Sequence, residues 1–335
     1  MAQSSWILVD LRVPDEPAVL CRDGTARDRT SLARALGELT GGTRGRELAS
    51  DFARWSGGGR AGAPPTDLDV RPVPGAAGSL SAAWVRPRGG QGVPPFATSL
   101  LWDPAARLVT ESDEARILFA RDDTGPGGNQ ITSAEALRNV DVADTIALAQ
   151  AMLARPPRRW RGTVRAPLRD TSINGVLDLL PVAGEKRIPG VLFEVDHIET
   201  TKSVEALAMA ALSRVAPVHV VLMDVHRMRA LRWLTDPPPG VAWKDVRDNR
   251  DTPHPDDVKR IFEKAGAALN GDIVRGSLEN IRLRFLEGGW LVVDAAGELV
   301  PDSDPPLLIL QMAVRGRSDE PDPVPVDDQG HPGIV

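Results

Sequence analysis

Two apolar runs in the middle of the chain contain acidic residues at positions where a buried strand usually has valine. They are GVLDLLPVA, from Gly175, and PGVLFEVDHI, from Pro189. A polar TTKS segment then opens an alanine- and leucine-rich run at helical spacing, and PVHVVLMDV follows with the composition of a buried strand. The pattern predicts strand, strand, helix and strand over residues 174–225.

Apolar spacing elsewhere predicts further elements and a domain order. Strands are predicted at 6–13, 96–103, 115–122, 281–293 (with a Gly-Gly turn at 288–289) and 306–314. Helices are predicted at 30–55 (broken by TGGTRG), 133–153, 201–215 and 258–269. These elements indicate an N-terminal α+β module over 1–55, a Gly/Pro-rich linker or loop over 56–95, an α/β domain over 96–315 with its core at 133–232, and a disordered acidic tail over 316–335.

Composition limits the classes of protein that fit. The 335 residues carry a net charge of −6, so the whole surface is not that of a general nucleic-acid binder, and local patches must carry any such function. The single cysteine, Cys21, excludes an internal disulfide and a cysteine-rich zinc site. No run is long and apolar enough to span a bilayer, and the N-terminus lacks the pattern of an export signal. We therefore expect a soluble cytoplasmic protein without membrane contact.

The acidic residues of the two central strands form a candidate metal site. The strand period of two places Glu194 and Asp196 on one face, and Asp178 on the neighbouring strand can reach the same face. Carboxylates inside buried strands are costly unless they are neutralised, and hard cations prefer oxygen ligands. We therefore expect Asp178, Glu194 and Asp196 to hold Mg²⁺ or Mn²⁺, which can activate water for attack on a phosphodiester.

The order of elements and the acidic spacing resemble the PD-(D/E)XK nuclease superfamily, which includes many restriction endonucleases. The family's Asp matches Asp178 in NGVLD, and its Glu matches Glu194 in FEVDH. Asp196 stands where the family has lysine, and Lys202 in the next helix is the candidate for the missing positive charge. The resemblance covers roughly residues 133–232. It implies a restriction-endonuclease-like mixed central sheet flanked by helices, and cleavage of DNA in restriction or defence.

An arginine-rich segment, RPPRRWRGTVRAPLR, directly precedes the Asp178 strand and contains no acidic residue. Arginine binds phosphate in a bidentate manner, and tryptophan either stacks on a base or packs an edge of the fold. The segment therefore predicts contacts with a nucleic-acid backbone, unless it is a solvated connector in an arginine-rich protein. The candidate residues are Arg158, Arg159, Trp160, Arg161 and Arg165.

Three functions remain open from the sequence. The first is a metal-dependent nuclease with Asp178, Glu194, Asp196 and Lys202 in its site, acting on DNA as a homodimer or as a complex subunit. The second is a catalytically inactive nuclease-fold subunit that binds nucleic acid or supports assembly, which the missing lysine favours. The third, a hydrolase of a small substrate, has no motif to support it. A structural alternative also remains, an ordinary α/β domain in which Asp178 lies at a strand end and Glu194 and Asp196 pair with arginines.

Overall fold

The structure is a computed structural model of the 335-residue chain. It describes residues 6–13, 16–57, 63–75, 80–118, 129–138, 140–168, 171–198, 218–244 and 250–321. The helices in these ranges are α1 (Leu32–Thr40), α2 (Gly42–Gly57), α3 (Asp113–Leu118), α4 (Ser133–Ala136), α5 (Thr145–Leu153) and α6 (Pro255–Leu269). None of them has both the length and the apolar character that crossing a membrane requires.

The described strands form three sheets. The first contains β1 (Ile7–Asp10), β2 (Ala18–Arg22), β3 (Thr25–Ser31), β4 (Leu68–Pro74) and β5 (Leu80–Pro87), in the order β3-β2-β1-β5-β4. The second contains β6 (Ala97–Asp103), β7 (Leu108–Glu111), β8 (Gln130–Thr132), β9 (Asp141–Val142), β10 (Trp160–Leu168), β11 (Thr171–Leu179) and β12 (Ile188–Glu194), in the order β8-β7-β6-β12-β11-β10-β9. The third contains β13 (Val218–Asp224), β14 (Arg229–Trp233), β15 (Arg275–Arg284), β16 (Trp290–Leu299) and β17 (Leu307–Ser318), in the order β14-β13-β17-β16-β15.

The described residues belong to two compact units. One consists of those within Met1–Thr124, Asn129–Ile131 and Asn139–Thr201, and it holds the first two sheets. The other consists of those within Thr132–Arg138 and Lys202–Val335, and it holds the third sheet. The strands of the predicted N-terminal module and those that carry Asp178 and Glu194 therefore lie in the same unit.

The central strand of the first sheet, β1, is buried on both faces. Ile7 and Val9 face α1 and α2 and pack with Phe52. Trp6 and Leu8 face the other way and form a core with residues of the second sheet, including Phe193. Cys21 belongs to this second core and is fully buried. The region between the two sheets is thus an apolar layer, in which any charged side chain needs a partner.

Helices α1 and α2 approach each other through two glycines. A Cβ atom at Gly45 would lie 2.2 Å from the backbone nitrogen of Gly37 and 2.7 Å from the carbonyl carbon of Leu36. The backbones are therefore closer than any side chain at position 45 allows. This contact joins the two helices, and their apolar side chains pack against β1 on the face remote from the second sheet.

In the second unit, an ion pair joins α6 to strand β15 of the third sheet. His254 caps the helix, and its Nδ1 accepts a hydrogen bond from the backbone N–H of Asp256 at 3.2 Å. Asp257, in the first turn, accepts from Nε of Arg282 on β15 at 2.9 Å and from Nη1 of Arg260 at 3.0 Å. Burial alone would raise the pKa of Asp257, but these guanidinium groups and a backbone N–H hold the pKa below its usual range.

The fold class is α+β, which refines the predicted α/β class. Both helices and strands are present as expected, but strands dominate, and every pairing whose register the structure gives is antiparallel. Sheets of this kind need no crossover helices between neighbouring strands. The finer prediction, a restriction-endonuclease-like core, stays a prediction.

Several predicted segments differ from the structure. The linker or loop over 56–95 is wrong, because it contains β4 and β5, and β5 pairs with the central strand β1. The predicted strand at 115–122 begins as helix α3, since Ser112 Oγ accepts from the backbone N–H of Ala115 at 3.2 Å and caps that turn. The disordered tail from residue 316 is also wrong at its start, because β17 continues to Ser318; residues 322–335 lie outside the described ranges.

The predicted helix at 133–153 is two helices with a strand between them. Val142 pairs with Val164, which adds β9 to the edge of the second sheet. Asp144 then caps α5, with its Oδ1 accepting from the backbone N–H of Ala147 at 2.8 Å. The predicted helix at 201–215 lies outside the described residues, whereas the strand predicted after it is confirmed as β13.

Candidate functional site

Asp178 lies on β11 with its carboxylate surrounded by arginines. Its Oδ1 accepts from Nη2 of Arg12 at 3.0 Å, and its Oδ2 accepts from Nη2 of Arg159 at 2.8 Å. Nη1 of Arg161 lies 3.7 Å from the same Oδ2. The side chain of Asp178 is fully buried, so these guanidinium groups neutralise a charge that water does not reach.

Arg12 connects this carboxylate to a second one, Asp10 on β1. Its Nε and Nη2 bind the two oxygens of Asp10 at 2.8 and 2.9 Å, a bidentate pair. Its Nη1 donates to the backbone carbonyl of Asp178 at 2.6 Å. Arg29 on β3 also pairs with Asp10. The set formed by Asp10, Arg12, Arg29, Arg159, Arg161 and Asp178 is called the Asp178 cluster below.

The Asp178 cluster links the first two sheets. On β1, Asp10 is two residues from Leu8, and on β11, Asp178 is two residues from Val176, so both carboxylates point into the layer between the sheets. The side chain of Arg12 is 1% exposed and spans the two acids. The cluster is therefore an inter-sheet ion-pair network at the edge of an apolar core.

The arginines determine the ionisation of Asp178. Burial alone would raise the pKa of this carboxyl, but the charges of Arg12, Arg159 and Arg161 and the hydrogen bond from Arg159 outweigh burial and lower the pKa. The hydrogen bond to Asp178 in turn raises the pKa of Arg159. Burial lowers the pKa of Arg161, although guanidinium groups stay protonated at any physiological pH. Asp178 is thus an anion at neutral pH.

We predict that this unit loses stability in acid. Because the folded-state pKa of Asp178 lies below its unfolded value of about 4, the ion pairs contribute fully above that pH. Their contribution is lost as pH falls through the folded-state pKa. The urea midpoint, followed by tryptophan fluorescence, should therefore decrease steadily below pH ~4. A midpoint that stays constant from pH 5 to pH 2 would contradict the depressed pKa.

Glu194 lies on the opposite face of the second sheet from Asp178. Asp178 pairs directly with Val191, and Glu194 pairs with Gly175. Because Glu194 is three residues from Val191, its side chain points to the other face, roughly 10 Å further along the strand. Its Oε2 accepts from the backbone N–H of Phe96 at 3.0 Å. The prediction that Asp178 and Glu194 share a face is therefore wrong.

Asp196 lies beyond the end of β12 rather than on it. Its backbone N–H donates to the carbonyl of Gly24 at 2.9 Å, and its carboxylate fills the space above that glycine, where a Cβ would lie 2.2 Å away. Strand alternation therefore does not place it beside Glu194, since the strand ends at Glu194. Lys202, the remaining catalytic candidate, lies outside the described residues.

The three carboxylates do not fit the expected Mg²⁺ or Mn²⁺ ion. Both oxygens of Asp178 already accept from guanidinium groups, and Glu194 points away from them. Within the described parts of the chain, no group of three or more candidate ligands is placed to hold a metal ion. We therefore derive no metal-dependent step from these residues.

The described arginines of the arginine-rich segment divide into those that pair with Asp178 and those that pair with no carboxylate of the described residues. Arg159 and Arg161 belong to the Asp178 cluster, and Arg161 also donates to the carbonyl groups of Arg27 and, at 3.0 Å, Leu20. Arg158 and Arg165 are exposed, and neither has a carboxylate within ion-pair distance among the described residues. Arg165 donates from Nε to the hydroxyl of Ser172 at 3.0 Å.

Trp160 packs an edge of the fold. It is 7% exposed, and its ring covers Gly162, where a Cβ would lie 2.3 Å from Cζ2. Alternation along β10 places Trp160 and Gly162 on the face opposite Arg161 and Arg165. The sequence allows two roles for Trp160, and the structure shows packing. Because the ring is buried, the predicted stacking of Trp160 on a base is wrong.

The sequence does not reveal the N-terminal half of the Asp178 cluster. Asp10, Arg12 and Arg29 lie in a segment predicted as a separate module, and Arg12 is 166 residues away from Asp178 along the chain. One local signal exists: Asp10 and Arg12, in WILVDLRV, place opposite charges two residues apart at the end of an apolar strand. Such a pair indicates that the two charges are buried together.

One solved structure indicates the fold of this chain, and the comparisons supply no function. No protein family matches the chain, and no curated protein does. A crystal structure of an uncharacterized protein from Mycobacterium tuberculosis matches with a TM-score of 0.68 and 18% identity, covering 93% of this chain and 96% of that one. An RNA-binding light-oxygen-voltage receptor matches with a TM-score of 0.23 and 12% identity over 65% of this chain and 95% of that one, too weakly to indicate a common fold. The resemblance to PD-(D/E)XK nucleases stays a prediction.

Proposed function

We propose that the chain is a non-catalytic subunit that binds nucleic acid through phosphate contacts. The observation that carries the proposal is the carboxylate of Asp178, whose two oxygens accept from Arg12 and Arg159. This residue is the acid that a nuclease of the resembled family would use to hold metal. Here it stabilises the junction of two sheets, which favours the second of the functions predicted from the sequence.

Positive charge in excess around Asp178 supports the binding part of the proposal. The cluster contains four guanidinium groups and two buried carboxylates, which leaves two positive charges in excess. The exposed Asp28, 3.4 Å from Arg159, reduces the excess to one. Exposed Arg158 and Arg165 lie on either side of the paired arginines along the chain. Guanidinium groups match phosphate geometry, so this surface favours a phosphodiester backbone.

The positive surface is small, because the chain as a whole has a net charge of −6. We therefore expect contacts with two or three phosphates rather than a long groove. Counterion release then predicts that affinity for duplex DNA falls roughly 10- to 40-fold between 50 and 200 mM salt. The remainder of the surface repels nucleic acid and limits non-specific binding.

A charge-reversal experiment tests this function. Fluorescence anisotropy measures binding of labelled 20-nucleotide single-stranded and duplex DNA to the full chain. We expect Arg158→Glu with Arg165→Glu to weaken binding at least tenfold and to flatten the salt dependence, since each lost phosphate contact lowers the slope by about one. Equal binding by this variant and the wild type would contradict the proposal.

The matched control reverses two exposed arginines of helix α2, Arg46→Glu with Arg54→Glu. These residues lie on the helix pair that packs on the far face of the first sheet, and the variant has the same net charge as the test variant. We expect it to change the affinity less than threefold, because charges separated by more than a Debye length are screened. In parallel, plasmid is incubated with the protein in Mg²⁺ and in Mn²⁺. Cleavage that disappears in Glu194→Ala would overturn the non-catalytic assignment.

A further inference from the structure

Arg159 binds two carboxylates that differ greatly in exposure. Its Nη2 donates to Asp178 Oδ2 at 2.8 Å, and the side chain of Asp178 is fully buried. Its Nη1 lies 3.4 Å from Oδ1 of Asp28, whose side chain is 88% exposed. Arg159 itself is one-third exposed at 32%. One side of this guanidinium is thus fixed to the protein, and the other faces solvent.

The two ion pairs differ in how readily they exchange. The buried pair cannot open without leaving a carboxylate away from water, so Arg159 stays in place. The exposed pair contributes little to stability, because water and salt screen it. Asp28 can therefore leave Arg159 at small cost, and the guanidinium then presents an oriented donor that needs no rearrangement. A phosphate oxygen is the same kind of acceptor as a carboxylate oxygen and fits this donor.

We propose that a backbone phosphate of the bound nucleic acid replaces the Asp28 carboxylate at Arg159, so that Asp28 is a built-in competitor for the phosphate site. The inference rests on the proposed function and identifies one contact within it. Asp28 stands between Arg27 and Arg29 on the exposed edge strand β3. Its departure restores two positive charges in excess at the cluster, which attracts the incoming phosphate.

The variant Asp28→Asn tests the competition because it removes the charge and keeps the size of the side chain. We expect its affinity for the 20-nucleotide single-stranded DNA to rise about three- to tenfold at 50 mM salt, the range that one unscreened charge at contact distance supplies. Residue 28 is exposed, so the fold does not depend on it. The control is Asp51→Asn on α2, which removes a half-exposed acid that pairs with Arg54 at 3.1 Å. We expect no change in this control.

Inorganic phosphate provides the second measurement. Added phosphate should displace the labelled DNA from Asp28→Asn at a lower ionic strength than sodium chloride does. Displacement that depends on ionic strength alone would overturn a specific phosphate contact.

The outcomes separate the inference from the function on which it rests. If the wild type binds DNA and Asp28→Asn binds equally well, the inference fails and the proposed function stands. If the two aspartate variants gain affinity equally, the effect is one of net charge and the inference fails as well. If neither the wild type nor Asp28→Asn binds DNA at 50 mM salt, the proposed function itself fails.

Discussion

Replacing Asp178 by alanine is expected to lower the free energy of unfolding by about 3–5 kcal/mol, the usual cost of removing one partner from a buried ion pair. The reason is Arg12, whose side chain is 1% exposed and would keep its charge with one of its two carboxylates gone. Urea unfolding of the full chain, followed by tryptophan fluorescence, measures the change. Arg159 can turn towards water and contributes less to the loss, because it is one-third exposed.

The sign of this effect separates the two roles of Asp178. In a metal site without its ion, neighbouring carboxylates repel, and removal of one of them stabilises the protein. In the Asp178 cluster the carboxylate is an attractive partner, so its removal destabilises. Glu194→Ala is the comparison, since Glu194 is half-buried and accepts from one backbone N–H. We expect it to cost about 1 kcal/mol. A stabilising Asp178→Ala would refute the structural role.

The candidate site was predictable in its residue types but not in its geometry. The acids of the two central strands are where the pattern places them, on β11 and at the end of β12. Whether two strands present their acids on one face depends on register, and the pairing of Asp178 with Val191 is set by contacts along the whole strand. One partner of Asp178, Arg12, lies just after β1, and a contact between residues 166 positions apart has no local signal.

Gly45→Ala is the second substitution for which we expect a large loss, about 3 kcal/mol at the upper end of the range for overpacking. An alanine inside a helix normally stabilises by up to about 1 kcal/mol relative to glycine. Here the added Cβ would meet the backbone of Gly37 at 2.2 Å, and backbone atoms cannot turn aside as a side chain can. The helix pair must separate, which exposes Phe52 and the face of β1. Thermal unfolding followed by circular dichroism measures the loss.

Gly42→Ala provides the control for this helix pair. Gly42 begins α2, and a Cβ at that position would meet no atom within 4 Å. We expect the free energy of unfolding to change by at most about 0.5 kcal/mol, as for other surface positions. Equal losses in the two variants would show that the loss comes from helix geometry rather than from close packing.

The limits of the fold prediction have the same physical origin as those of the site. The helix pair around the TGGTRG segment and strand β13 follow from local spacing, and the structure confirms them. Residues 80–87 lie in a Gly/Pro-rich region, yet they form a buried strand because β1 and β4 pair with it on both sides. Composition describes what a segment prefers in isolation, whereas pairing with distant strands decides what it becomes.

The reactivity of Cys21 reports the separation of the first two sheets, because the thiol is buried between them. Burial, together with the nearby carboxylate of Asp196, raises the pKa of the thiol to about 12. At pH 7 the reactive thiolate then amounts to on the order of one molecule in 10⁵. Alkylating reagents can react appreciably only after the two sheets of the first unit separate and the thiol regains its ordinary acidity. Because the chain has no other cysteine, the labelling rate reports the separation of this sheet pair alone. Tryptophan emission, by contrast, averages over eight residues spread along the chain.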